Sequence, residues 1–221
     1  MIVNLDNFSP KTKSGFLVLD GVNGAGKTTI QKKIIEYLNN KSISCIETRE
    51  PGATKLGKSI RELVVEAKVG KPSPWTEVFL FAADRAEHVQ TFIKPNLAKN
   101  VVVICDRYYY STLAFQGYGR KMDLAKIRTI NEIAIDGVRP DLAIIFDLPA
   151  KLGLQRTSLR NSNEIDSFES EELEFHENLR KGFLQLANDL PEACAIIDAS
   201  LSPDEVWTEV KDYLDIWIGA R

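Results

Sequence analysis

Gly21-Val22-Asn23-Gly24-Ala25-Gly26-Lys27-Thr28 fills every position of the pattern G-x-x-x-x-G-K-[ST]. Each residue type in it answers to phosphate chemistry. The glycines let the backbone curl until several N–H groups face one anion. Lys27 reaches toward the outer phosphates, and the Thr28 hydroxyl is a ligand for Mg²⁺. The flanks agree. Phe16-Leu17-Val18-Leu19-Asp20 is a short apolar strand and Thr29 to Leu38 has a helical pattern, so the loop stands at a helix N-terminus, where an anion is stabilised. A glycine-rich turn can match the bare pattern by chance, but the strand–loop–helix setting favours nucleoside triphosphate binding. The loop alone does not name the group that accepts the phosphate.

Outward from the loop, strand-like and helical runs alternate. Ser42 to Thr48 is followed by a helical stretch from about Lys55 to Val69, broken by Gly70-Lys71-Pro72-Ser73-Pro74. Trp75 to about Lys99 reads as a longer helix kinked near Pro95. Val101 to Cys105, Leu142 to Phe146 and Ala193 to Ile197 are continuous apolar runs, the pattern of parallel strands covered on both faces. Such alternation specifies an α/β fold with a parallel sheet, right-handed crossovers and ligands at the carboxyl ends of its strands. Between helical stretches Ala150–Arg160 and Ser170–Leu190 lies the polar segment Asn161 to Ser167, a solvated turn or a mobile lid.

Residues 1–221 fit one domain, with 1–14 as an N-terminal extension and about 156–170 as the lid. A net charge of −3 argues against broad nucleic-acid binding. Cys45, Cys105 and Cys194 form no C-x-x-C pair and read as buried reduced thiols of a cytoplasmic protein. Met1 to Ser14 lacks the apolar core of a signal peptide, and no run approaches a membrane span.

Several polar groups fall at predicted strand ends. Asp106 suits a Mg²⁺ held through water and Arg107 suits a phosphate, unless the two form only a structural ion pair or helix cap. Thr48-Arg49-Glu50-Pro51-Gly52 carries a Pro-Gly turn and needs no other role. Phe81 and Gln116 supply an aromatic face and a two-way amide, the parts of a pocket for a planar base, although aromatics at helical spacing are commonly core.

In this order the motifs resemble the bacterial thymidylate kinase family. They are the loop Gly21–Thr28, Thr48–Gly52, Leu80–His88, Asp106-Arg107-Tyr108, Ser111, Phe115-Gln116-Gly117, Pro140-Asp141-Leu142 and Asp198-Ala199-Ser200. The resemblance implies the P-loop fold of nucleoside monophosphate kinases: a five-stranded parallel sheet flanked by helices, with a short lid. It implies transfer of the ATP γ-phosphoryl group to dTMP with Mg²⁺, in a homodimer. ATP would be held by Gly21, Val22, Asn23, Gly24, Ala25, Gly26, Lys27, Thr28 and Thr29, and the metal by Thr28 and Asp106. Phe81 matches the ring that stacks on thymine, Gln116 an amide near the base, Ser111 a base-side contact and Phe115 the aromatic that crowds the sugar 2′ position. Arg61, Arg85 and Arg107 match arginines gathered at the acceptor phosphate. Lys27, Arg107, Arg156 and Arg160 form the catalytic set. His88 is expected to be structural, and His176 to lie on a surface helix.

Two positions depart from the family pattern. Asn23 stands where an acid is usual, and Ser158 and Ser167 stand where lid arginines are frequent. With no arginine in the loop, Arg156 and Arg160 are expected to supply the lid charge, unless they only solvate a helix face. Arg160→Ala should then lower kcat far more than it raises KM for dTMP. Competing readings are a P-loop kinase of another deoxynucleotide or a deoxynucleoside, an ATP-dependent switch, and a non-catalytic paralogue.

Overall fold

The computed structural model describes residues 2–3, 14–68, 70–159 and 167–219. Six strands form one sheet: β1 (Ile2–Val3), β2 (Gly15–Gly21), β3 (Cys45–Arg49), β4 (Val102–Asp106), β5 (Leu142–Asp147) and β6 (Cys194–Asp198), in the order β1-β6-β5-β2-β4-β3. The expected five-stranded parallel sheet is present, β2 to β6 pairing in parallel. A short strand that the sequence did not announce, β1, adds to β6 in antiparallel sense. β2 is central and fully buried, as are the apolar residues of β4 and β5, so each is covered on both faces by helices. β3 is an edge strand, which leaves Cys45 half-exposed; only Cys105 and Cys194 are the buried thiols expected of all three.

Register decides where ligands meet. Leu19 of β2 and Arg49 of β3 both pair with Asp106 of β4, so the carboxyl ends of three strands finish side by side. The chain departs from β2 to β3 on one side, and reaches β5 on the other, making this edge the switch point of the sheet.

The helices are α1 (Lys27–Asn40), α2 (Lys55–Val64), α3 (Pro74–His88), α4 (Lys94–Ala98), α5 (Tyr109–Thr112), α6 (Leu124–Ile135), α7 (Ala150–Ser158), α8 (Leu173–Asp189) and α9 (Pro203–Trp217). α2 ends earlier than the sequence suggested. Its last carbonyls are taken by a residue a hundred positions away: Ser167 donates from Oγ to Val64 O at 3.1 Å and from its backbone N–H to Val65 O at 3.0 Å. The break expected near Pro95 is a π-helical turn, Val89–Ile93, in which Lys94 N–H bonds Val89 O. A wide turn there accommodates the missing N–H of Pro95. A second π-helical turn, Leu113–Gly119, continues α5. α8 packs on that turn, on α7 and on the sheet. Its His176 is therefore buried at 4 % exposure rather than on a surface face.

Candidate active site

A cavity of about 310 Å³ opens at the carboxyl ends of β2, β3 and β4. One end is the glycine loop. Gly21, Gly24 and Gly26 all adopt positive φ, and α1 begins immediately at Lys27, so its first-turn N–H groups face the cavity. Gly24 also lies against α7: a Cβ there would come within 2.5 Å of Gly153 O. The Lys27 ammonium donates to Gly21 O at 3.2 Å and Val22 O at 2.9 Å, while Thr28 and Thr29 are exposed at the cavity wall.

Beside the loop, Asp20 closes β2 with no exposed surface and organises its neighbours. It accepts from Gly21 N at 2.9 Å, Ser111 Oγ at 2.7 Å, Arg107 Nη1 at 3.2 Å and Tyr108 N at 3.3 Å. Burial pushes its carboxyl up, against the opposing pull of Arg107, Ser111 and Lys27. Arg107 also donates to Gly21 O and Ser111 Oγ through Nη1, and to Asn23 Oδ1 through Nη2; its guanidinium carbon lies 5.0 Å from the Phe115 ring centroid. Ser111, expected as a base-side contact, lines the cavity with its hydroxyl engaged by Asp20 and Arg107. Asn23 Nδ2 donates to Glu169 Oε1 at 3.4 Å.

The other end is aromatic. Phe81, Phe115, Phe168 and Gln116 line it. Phe168, near the C-terminal end of the segment expected as the lid, meets the Phe115 ring edge-on at 5.2 Å and the Phe81 ring at 6.2 Å. Gln116 is fully buried, its Nε2 donating to Glu77 at 3.1 Å and its Oε1 without a partner. Arg85 sits 2 % exposed in an ion pair with Glu50 at 2.8 Å and also bonds Asn131 and Thr112. Neutralised in this way it brings little net charge to an acceptor phosphate. His88 is buried between Glu50, 2.9 Å from Nδ1, and Thr48 Oγ1, 2.7 Å from Nε2, as a structural histidine should be.

Arg61 lines the cavity, with Nη1 3.4 Å from Pro51 O. Arg49, which the sequence reading passed over as part of a turn, also lines it with an exposed side chain. Its place at the end of β3, level with Asp106, was the available signal. Arg156 does not line the cavity: its Nη1 donates to Ala199 O at 2.8 Å, tying α7 to the loop after β6. Arg160 lies outside the described residues. Asp106 lines the cavity, and its Oδ1 is buried without a hydrogen-bond partner.

A glycine loop at the switch point of a parallel sheet, with arginines beside it and a base-sized aromatic recess beyond, defines a P-loop nucleotide-binding protein of the nucleoside monophosphate kinase type. The family model for thymidylate kinase matches residues 19–210. The chain is 45 % identical over 200 residues to the thymidylate kinase of Carboxydothermus hydrogenoformans, covering 90 % of this chain and 96 % of that one. It is 40 % identical over 211 residues to that of Desulfovibrio desulfuricans, covering 93 % and 97 %. It is 45 % identical over 211 residues to that of a Synechococcus, covering 93 % and 98 %. The chain belongs to the thymidylate kinase family.

Proposed function

We propose that the protein transfers the γ-phosphoryl group of ATP to dTMP, giving ADP and dTDP, with Mg²⁺ on the triphosphate. One observation carries this reading: a single cavity joins a phosphate-binding loop and cationic side chains at one end to a stacking ring and a buried amide at the other. The acceptor's nucleophile is a phosphate oxygen, anionic near neutral pH, so no general base is needed. Positioning and charge neutralisation do the catalysis.

In this reading the backbone of Gly21 to Thr28, with Thr29, cradles ATP, and Lys27 turns from the loop carbonyls to the β- and γ-phosphates. Thr28 and the unpartnered oxygen of Asp106 make an all-oxygen donor pair suited to a hard cation such as Mg²⁺. Bound there, the cation neutralises charge on the transferring group. Among the described residues no group of three His, Cys, Asp or Glu is placed to hold a metal, so phosphate and water oxygens would complete the shell. Arg49, Arg61 and Arg107 meet the acceptor phosphate. Arg85, already paired with Glu50, serves the base end with Phe81 and Gln116, while Phe115 crowds the sugar. The loop has no arginine, so transition-state charge falls to Lys27, Arg107 and the cation, with Arg160 as the lid-side contributor; Arg156, held by Ala199 O outside the cavity, seats α7 instead.

The protein acts as a homodimer in the cytoplasm, without nucleic acid or membrane. The apolar residues exposed on α3 and α6 support the dimer; among the described residues no helix is long and apolar enough to cross a bilayer. A coupled ADP-release assay across dTMP, dUMP, dCMP, dGMP and AMP tests the reaction. Turnover with dTMP, weaker with dUMP, is expected; the absence of stimulation by any acceptor overturns it.

A further inference from the structure

We propose that Glu77 sets the pyrimidine specificity of the site by fixing which end of the Gln116 amide the base meets. The inference rests on the reading of Gln116 as a base contact. Glu77 does not line the cavity; it is a positioning residue acting from behind it. It lies on α3, four residues before Phe81, at 1 % exposure. Arg120 grips both carboxylate oxygens, Nε at 2.7 Å from Oε2 and Nη2 at 2.8 Å from Oε1. Arg120 is itself fixed by Glu171 at 3.1 Å and by the Phe168 ring, 5.3 Å from its guanidinium carbon. A carboxylate in that grip only accepts hydrogen bonds.

Gln116 therefore has no choice of orientation. Its NH₂ must face Glu77, which it does at 3.1 Å, and this leaves Oε1 buried without a partner in a residue of the cavity wall. A lone buried acceptor is unfavourable until a donor arrives. Thymine and uracil bring one in their N3–H. Cytosine offers a bare N3 lone pair at the same place, and two acceptors then face each other. Base selection at this edge is written in the acid behind the amide as much as in the amide.

Glu77→Leu with Arg120→Leu tests the idea. Glu77 Oε2 accepts from both Arg120 Nε, at 2.7 Å, and Gln116 Nε2, at 3.1 Å, so a glutamine at 77 would keep its oxygen there and hold Gln116 as before; the leucine pair removes that acceptor and both buried charges together. The Gln116 amide is then free to turn and offer its NH₂ to the base. The expected result is a fall of about tenfold or more in kcat/KM for dTMP, mostly in KM. The ratio of dCMP to dTMP kcat/KM should rise about tenfold, with KM for ATP unchanged. If Glu77 only held α3 against the π-helical turn, both acceptors would weaken together and the ratio would stay at the wild-type value, which overturns the proposal. Glu77→Met with Arg120→Met keeps longer apolar side chains at both positions; it carries the same expectation and serves where the leucine pair does not fold. Gln116→Leu separates the two layers of the argument. A wild-type ratio in Gln116→Leu means the amide does not read the base, and the site reading fails. A changed ratio there with a wild-type ratio in the Glu77 variants means Gln116 reads the base and Glu77 does not set it.

Discussion

Arg107 has more partners than a surface arginine needs. Asp20, Gly21 O and Ser111 hold Nη1, Asn23 takes Nη2, and Phe115 covers the guanidinium face. Its own backbone adopts φ 69°, a left-handed conformation unusual outside glycine. The planar fork is what these contacts recognise, and a lysine reproduces one of them at most. Arg107→Lys should lower kcat/KM for dTMP by ~10²-fold or more through misplacement of charge at the acceptor phosphate, measured by steady-state kinetics. Less than a threefold loss would remove Arg107 from the phosphate site. Asn23 belongs to the same network. An aspartate would keep the Arg107 bond but set a like charge against Glu169, so the departure from the family pattern has a local physical consistency. Asp84 gives a pH signature. Burial, reinforced by the charge of Glu50, pushes its carboxyl up to about 6 from 3.8. Between those values the folded state binds more protons than the unfolded, so stability falls as pH rises through the window and levels above it. Asp84→Asn keeps an acceptor for Gly52 N–H, 3.1 Å away. It should be more stable than the wild type at pH 7.5 by up to about 3 kcal/mol, with the difference vanishing near pH 4. Urea titrations at both pH values check this, and equal stability at pH 7.5 would count against it.

Among the elements, those whose information is local were legible in the sequence. The continuous apolar runs became β4, β5 and β6 within a residue or two, because a strand covered on both faces must be apolar throughout. The glycine loop announced itself through residue types alone. What stayed hidden was set across distance. The cap of α2 by Ser167 and the pairing of Glu77 with Arg120 join segments 103 and 43 residues apart. The π-helical turn that brings Phe115 and Gln116 to one cavity wall has no periodicity to read. The seat of α7 on the phosphate loop was equally invisible. Gly24 and Gly153 meet there backbone to backbone, and a Cβ on Gly153 would come within 2.7 Å of Asn23 O. Gly153→Ala must push α7 off the loop or bend the loop itself. The expected outcome is a loss of about 1–3 kcal/mol in stability, the usual range for overpacking. KM for ATP should rise by ~10-fold because the loop that cradles its phosphates moves. Thermal unfolding reads the first effect and steady-state kinetics the second, and an unchanged KM would show that the loop tolerates the shift.

At the scale of the whole molecule, the periodicity of α3 divides it between two tasks. Phe81 and Arg85, four residues apart, line the site, and Glu77, one turn before Phe81, stands behind its wall. Trp75 and Phe79, also four apart, face outward, their rings 6.4 Å from one another and Phe79 58 % exposed. Ile133 on α6, the helix packed beside α3, is 77 % exposed. Among the described residues the other large exposed apolar side chains are apart from one another: Leu56 on α2, Leu159 just after α7 and Leu201 in the loop before α9. An apolar patch shared by two adjacent helices is the kind of surface a two-fold symmetric dimer covers, since the same residues serve both partners. A stable interface needs about 1,000 Å² or more, so disabling one patch should be decisive. Phe79→Glu with Ile133→Glu places two charges per protomer against their own images and should convert the proposed dimer to monomer at micromolar concentration, measured by light scattering or sedimentation. Leu201→Glu, in the loop before α9, should leave the proposed dimer intact. Because α3 carries the base-facing residues on its opposite side, loss of the dimer should also raise KM for dTMP while KM for ATP, set at the distant loop, changes little. A wild-type protein that is monomeric at tens of micromolar would overturn the assignment of this face.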